Sequence, residues 1–343
     1  MSLWLIRTGK HGEYEKKFLD DNRVYLTWHE LDRDLSQVGT KQELRDLLEA
    51  TYPTATKAHI SNHLGQIWAF VDVIAPGDWL IIPSKNKPAI HVAEVTGLYV
   101  FDGKAEAPYF HFRPIKWIAK DVPRAHFDSD LLYSFGAIQT ICQMTRNDAE
   151  KRVRSMAQEG WKAVGGESVI AAAQDGSVEA VNLELLARDE IAKLIISKFK
   201  GHGLSRLIEA ILRAQGYTTH LSPAGPDKGI DILAAPGLLG FGNPRICVQV
   251  KSGDSPVDTP TLNQLIGAMQ NVQADQGLLV SWGGFKSSVD KEIPVQFFRV
   301  RLWDQNTIIA ELLANYERLD EDLRAELPLK RIWTIAMPDD NDE

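Results

Sequence analysis

Gly229-Ile230-Asp231-Ile232-Leu233, a Gly/Pro-rich excursion, and then Arg245-Ile246-Cys247-Val248-Gln249-Val250-Lys251 form the most informative segment of the chain. β-branched residues dominate both ends and turn-formers bracket them, which predicts two short buried strands. Side chains alternate along a strand, so Gly229, Asp231 and Leu233 share one face while Ile230 and Ile232 share the other. On the second strand Cys247, Gln249 and Lys251 lie opposite Val248 and Val250. Paired as a hairpin, the two strands bring Asp231, Gln249 and Lys251 together at one edge of an apolar sheet. An unpartnered charge in such a strand is costly, so an acid, an amide and a lysine placed together indicate a functional site.

The chain has 343 residues, 44% of them hydrophobic, enough for two or three domains with their own cores. No apolar run approaches the ~20 residues of a membrane span. The opening Met1-Ser2-Leu3-Trp4-Leu5-Ile6-Arg7 is no signal peptide, so the expected compartment is the cytoplasm, with no membrane partner. Cys142 and Cys247 lie in apolar surroundings at no metal-ligand spacing and read as reduced core thiols. The formal net charge of −8 gives no global attraction to nucleic acid, so contact with phosphates requires local basic patches.

The first unit runs from residue 1 to 126. Trp4-Leu5-Ile6-Arg7 predicts an opening strand, Glu13 to Phe18 a short helix and Val24 to Trp28 a second strand. Helices follow at Lys41 to Thr51 and Asn62 to Val73. Pro76-Gly77-Asp78 then turns into strands at Trp79 to Pro83, Ala89 to Val95 and Tyr109 to Pro114. Short strands with two inserted helices suggest a small closed α+β barrel. Residues 127–181 read as a helical connector and linker: Asn147 is placed to cap a basic helix carrying Lys151, Arg152 and Arg154, and the Gly/Ala/Ser/Asp-rich run after Gly165 lacks periodicity.

A second unit, 182–316, begins with an amphipathic helix from Leu183 to Lys198. Another runs from Leu204 to Gln215, with Leu204, Leu207, Ile208, Ile211 and Leu212 on one face and Gly216 just past its end. Strands at Tyr217 to Leu221, Gly229 to Ala234 and Arg245 to Lys251 precede a helix from Thr259 to Gln273, with further strands at Gly277 to Trp282 and Phe298 to Trp303. This order implies an α/β fold with a mixed sheet flanked by helices. Residues 317–343 read as an extension with an acidic tail.

Trp4-Leu5-Ile6-Arg7, Gly77-Asp78-Trp79 and the Ile90 to Val95 strand give the first unit a resemblance to the EVE, YTH and PUA-like barrels. That resemblance implies a pocket for a flipped or single-stranded base, often methylated. Such a base needs a π-surface and a polar edge reader, so Trp28, Trp68 and Trp79 are the aromatic candidates, with Asn62 and Ser84 as polar partners. A small signalling nucleotide is an alternative occupant.

Leu207-Ile208-Glu209, Arg213 to Tyr217, Asp227-Lys228-Gly229-Ile230-Asp231, Val248-Gln249-Val250-Lys251, and Gly277 to Val280 followed by Gly283-Gly284-Phe285 resemble the Mrr-type branch of the PD-(D/E)xK restriction endonucleases. The resemblance implies a Mg²⁺-dependent phosphodiesterase, in which Mn²⁺ may substitute, because hydrolysis of a phosphodiester uses a hard cation held by oxygen ligands. Asp231 is then the anionic anchor, with Gln249, the carbonyl of Val250 and, directly or through water, Glu209 as further metal ligands. Lys251 either activates the attacking water or stabilises charge on the phosphate. Two departures stand out: Leu204-Ser205 replaces a common Phe-Glu pair, and Lys228 replaces a common glycine.

DNA contacts are expected from Lys200, His202, Arg206, Lys228, Gln264 and Lys286, the last in a glycine-rich loop able to offer backbone amides to phosphate. Together these readings imply a type II/IV-like, modification-dependent endonuclease acting on double-stranded DNA and pairing as a homodimer at least on DNA. A non-catalytic binding module on a retired nuclease fold and a repair or junction-processing nuclease are the alternatives.

Overall fold

The computed structural model describes residues 1–137, 139–162, 183–223 and 229–333. The linker expected after Gly165, Lys228 and the acidic tail lie outside them. Two compact units emerge among the described residues, divided between Leu186 and Ala187, within the first turns of the helix that opens the second unit.

The first unit contains β1 (Leu3–Ile6), α1 (Glu15–Asp21), β2 (Arg23–Leu26), α2 (Lys41–Thr51), α3 (Lys57–Trp68), β3 (Trp79–Pro83), β4 (Ala89–Val95), β5 (Val100–Phe101), β6 (His111–Pro123), α4 (Ser129–Phe135), β7 (Ile141–Gln143) and α5 (Ala149–Gln158). Its strands form one sheet in the order β2-β6-β4-β3-β1-β7, with β5 added to β6. β2 and β7 end that order, so among the described residues the barrel is curled and open rather than closed. One face buries Trp4, Ile6, Leu80 and Ile82 against α2 and α3; the other buries Leu3, Leu5 and Ile81 against α4 and α5. The alternation along β1 and β3 divides these two cores.

Sequence expectations shift at three points. α3 starts five residues before Asn62, because Thr56 accepts from His59 N at 3.3 Å and caps it there. Residues 129–158 join this unit: β7 pairs with β1, and Leu131, Phe135, Val153 and Met156 fill its second core. Asn147 does not cap α5. It sits at φ 57° and its amide donates to the carbonyl of Asp130, while Asp148 occupies the cap position without a side-chain bond.

The second unit contains α6 (Leu183–Lys198), α7 (His202–Ala214), β8 (Tyr217–Leu221), β9 (Ile232–Pro236), β10 (Ile246–Lys251), α8 (Thr259–Asn271), β11 (Gln276–Ser281), α9 (Ser287–Gln296), β12 (Val300–Trp303), α10 (Gln305–Asn315) and α11 (Glu321–Glu326). The sheet order is β12-β11-β10-β9-β8, with β8, β9 and β10 antiparallel and β10, β11 and β12 parallel. This is the expected mixed sheet flanked by helices. α6, α7 and α10 cover the face carrying Ile232, Val248 and Val250; α8 and α9 cover the face carrying Cys247 and Leu279. Gly277 lets α8 approach β11 closely, since a Cβ there would stand 2.6 Å from Met269 Sδ. Leu319, Leu323 and Leu327 belong to the same core as α7, so the segment beyond 316 packs as part of this unit.

Cys247 and Cys142 are buried and form no disulfide, as expected of core thiols. Among the described residues no helix is long and apolar enough to cross a membrane.

Candidate active site

The antiparallel pairing of β9 with β10 ends at Ile232 opposite Val248. One residue earlier the chain leaves the ladder, and that residue is Asp231. Its N–H donates to the Val248 carbonyl at 3.0 Å and its own carbonyl accepts from Ser222 N at 2.8 Å, so its backbone is held from both sides. Ile230 packs with the α8 side of the sheet whereas Ile232 packs with the α7 side. The strict alternation expected through Gly229 to Leu233 therefore fails at Ile230, because the regular strand begins only at Ile232.

Both carboxylate oxygens of Asp231 are engaged by named donors. Val250 N donates to Oδ2 at 2.9 Å, and Ser205 Oγ, from the first turns of α7, donates to Oδ1 at 3.2 Å. In a strand the N–H and C=O of one residue point to the same neighbour. The carbonyl of Val250 thus points to the side that β9 has vacated, where the Asp231 carboxylate sits.

Gln249 is only 1% exposed, and its Oε1 is buried without a hydrogen-bond partner among the described residues. Such an acceptor is rare in a folded protein and marks a position suited to a cation or water. Its Nε2 faces Gly229, where an added Cβ would lie 3.0 Å away. Gly229 holds φ +81°, a conformation that favours glycine. The side chain of Lys251, half-buried at the end of β10, has no hydrogen bond or ion pair among the described residues. It lines an open depression of about 440 Å³ with Ser252, Gly253, Ser255 and Thr261. On the same strand Cys247 is pushed up to about 11 by burial and by the nearby Asp231 charge, so it remains a thiol.

Glu209 lies one helical turn beyond Ser205 and is turned to a different task. Thr219 Oγ1 donates to its Oε1, and Arg213 Nη1 stands 3.7 Å from its Oε2. Thr219 pairs with Ala234, further along β9 from Asp231. Ser205, rather than Glu209, is the α7 side chain bonded to Asp231. Among the described residues no group of three or more His, Cys, Asp and Glu could hold a metal ion. A cation here would depend on Asp231 with the amide and carbonyl oxygens of Gln249 and Val250, a hard-oxygen set that suits Mg²⁺ or Mn²⁺.

Of the residues expected to contact DNA, His202 and Lys286 lie near the site. His202 Nε2 donates to the carbonyl of Ser222, the residue that also holds Asp231, at 2.8 Å. The backbone N–H of Lys286 donates to Val257 at the edge of the depression, and its ammonium lies 3.9 Å from Asp258. Arg206 pairs with Glu326 and stacks on Phe199, its charge stabilised by that carboxylate. Lys200 and Gln264 are exposed.

The base-pocket residues expected in the first unit separate. Trp28 lines a cavity of about 550 Å³ together with Tyr14, His29, Tyr52, His59 and His63. Trp28 Nε1 donates to the His63 ring at 3.3 Å, and the His59 and His63 rings are 4.0 Å apart. Trp68 packs on the α2/α3 core, with the Lys41 ammonium 5.9 Å from its ring. Trp79 packs on the opposite core under the Arg154 guanidinium, 4.3 Å away. Ser84 is taken up by the buried Glu15, donating to it at 2.8 Å, because a carboxylate buried there needs donors. Asn62 accepts from Gln139 Nε2 at 3.3 Å. Sequence reasoning missed the tyrosine and histidine walls, which come from distant segments. Ser205 did carry a signal, as a hydroxyl on an apolar helix face.

Residues 196–312 match the Mrr_cat family model, described as a restriction endonuclease. Residues 4–144, spanning β1 to β7, match a domain of unknown function, DUF8426. Among solved structures the chain is similar to the DNA modification-dependent restriction endonuclease AspBHI, at 15% identity over 84% of this chain and 72% of that one, with a TM-score of 0.34. It is also similar to the MspJI restriction endonuclease in complex with a 27-mer oligonucleotide, at 20% identity, 91% and 75% coverage and a TM-score of 0.33. No curated protein matches. The family match contains Asp231, Gln249 and Lys251, and the second unit carries a restriction endonuclease domain.

Proposed function

We propose that the chain is a Mg²⁺-dependent DNA endonuclease whose second unit hydrolyses the phosphodiester and whose first unit senses modified bases, as in type IV-like restriction of foreign DNA. The observation that carries the cleavage reading is the buried Oε1 of Gln249, without a hydrogen-bond partner among the described residues, on the strand whose next residue, Val250, clasps the carboxylate of Asp231 through its N–H. Asp231, Gln249 and the Val250 carbonyl would hold the ion. When bound, Mg²⁺ withdraws charge from the phosphate and lowers the pKa of water; Mn²⁺ can replace it.

Lys251 supplies an ammonium at the depression, either to orient the attacking water or to neutralise charge growing on the phosphate. Lys286 and His202 border the same end and suit phosphate contact. One site per chain cuts one strand, so double-strand cleavage requires a homodimer or transient pairing on DNA. In the first unit the cavity around Trp28 offers stacking surfaces for a flipped base.

Supercoiled plasmid should be nicked with Mg²⁺ or Mn²⁺ and spared with EDTA, and methylated, hydroxymethylated or glucosylated DNA should be cut faster than unmodified DNA. Asp231→Ala and Lys251→Ala should each abolish cleavage while largely sparing DNA binding in a gel shift. Full activity in either purified variant sinks the catalytic assignment. The neutral Gln249 favours a second reading, a DNA-binding module that does not cut. Bound plasmid left intact at saturating Mn²⁺, modified or not, would select it.

A further inference from the structure

α7 turns an apolar face to the sheet, built from Leu204, Leu207, Ile208, Ile211 and Leu212. Ser205 lies among them at 2% exposure, and its hydroxyl bonds to Asp231 Oδ1. A hydroxyl buried on such a face is costly unless its hydrogen bond contributes something an alkyl group cannot. Resting on the phosphodiesterase reading above, we propose that Ser205 is a positioning residue that fixes the Asp231 carboxylate for cation binding.

Val250 N donates to Oδ2 and Ser205 Oγ to Oδ1, so the two oxygens are held from different elements. Val250 N belongs to the strand and cannot be spared, so it sets one end of the carboxylate. Loss of the Ser205 donor loosens the hold on Oδ1, so the carboxylate turns more freely about the Cβ–Cγ bond and presents its oxygens less consistently to a cation. Donors behind a metal-binding carboxylate orient it, and removing one such partner typically weakens metal binding by about 10- to 100-fold. The effect should be pronounced here because Glu209 is engaged by Thr219 and Arg213 instead of Asp231. A site with few charged ligands depends more on the orientation of each.

The test is Mn²⁺ binding to the full chain, measured by calorimetry and by electron paramagnetic resonance of free Mn²⁺, with and without an uncleavable phosphorothioate duplex. Ser205→Ala should bind Mn²⁺ about tenfold more weakly than the parent, with thermal unfolding in EDTA shifted little. Ser205→Thr, which keeps the hydroxyl, should restore most of the affinity. Equal affinity in Ser205→Ala and the parent overturns the proposal, as does a Ser205→Thr that folds yet binds as weakly as Ser205→Ala. Should Ser205→Ala fail to fold, parent-like affinity in Ser205→Thr supports the proposal and a tenfold loss there overturns it. Absence of any saturable binding by the parent, with or without DNA, overturns the phosphodiesterase reading itself and is distinguishable from the other outcomes.

Discussion

Gln249 and Gly229 act as a pair at the level of single residues. The amide nitrogen of Gln249 occupies the space a side chain at position 229 would need, and Gly229 holds a positive φ that other residues adopt at a cost. Gly229→Ala should therefore destabilise the second unit by about 1–3 kcal/mol, read by urea denaturation, from backbone strain alone. It should also displace the amide and raise the Mg²⁺ concentration needed for half-maximal cleavage. Unchanged stability together with an unchanged Mg²⁺ requirement would refute this account. The alternation of Cys247, Gln249 and Lys251 was legible from sequence because a strand has a fixed period. The partner of Asp231 was not, since Ser205 reaches it across 26 residues through the packing of α7 on the sheet.

Strands and helices of the first unit are tied together by buried polar groups, and these set its response to acid. His111, at the start of β6, donates through Nε2 to Leu31 O at 2.7 Å and accepts through Nδ1 from Tyr99 OH at 2.7 Å. Both bonds belong to the neutral ring, and burial holds its pKa below the ordinary histidine value. Glu15 on α1 is pushed up by burial, but bonds from His91, Ser84 and Lys85 N outweigh that and leave it below the usual carboxylate range. A depressed folded-state pKa contributes stability that is present above the unfolded value and is lost as pH falls through the folded one. His111 contributes fully above about pH 6.5 and its contribution falls away below that; Glu15 follows below about 4.3. Urea unfolding of the full chain should show the first unit losing stability between pH 7.5 and 5. The His111→Gln variant should be weaker at pH 7.5 and flatter across that range, and an identical slope in both proteins would refute the assignment.

Taken as a whole, the chain joins a unit that matches the restriction endonuclease model to a unit with a cavity lined by Tyr14, Trp28, His29, Tyr52, His59 and His63. If that cavity reads a flipped base, Trp28→Ala removes a stacking wall worth roughly 1–3 kcal/mol. Its affinity for modified DNA should fall about tenfold or more, measured by fluorescence anisotropy, while Mn²⁺ binding in the second unit stays as in the parent. Equal affinity of Trp28→Ala and the parent for modified duplexes would remove the cavity from recognition.

The periodic parts of this protein followed from sequence. Alternating and helical hydrophobic patterns set most of the strands and helices of both units, and the hairpin polar residues placed Asp231, Gln249 and Lys251 at the end of one strand pair. Those patterns are local, arising from how side chains leave a backbone of fixed geometry. Three other features depended on tertiary structure: Ser205 rather than Glu209 meeting Asp231, Trp28 parted from Trp68 and Trp79, and the residues after 316 joining the α7 core. Each depends on which faces of separate elements come together, and side-chain periodicity carries no information about that. It is settled by packing apolar faces and by finding donors for buried charges such as Glu15, which took Ser84 from the expected pocket.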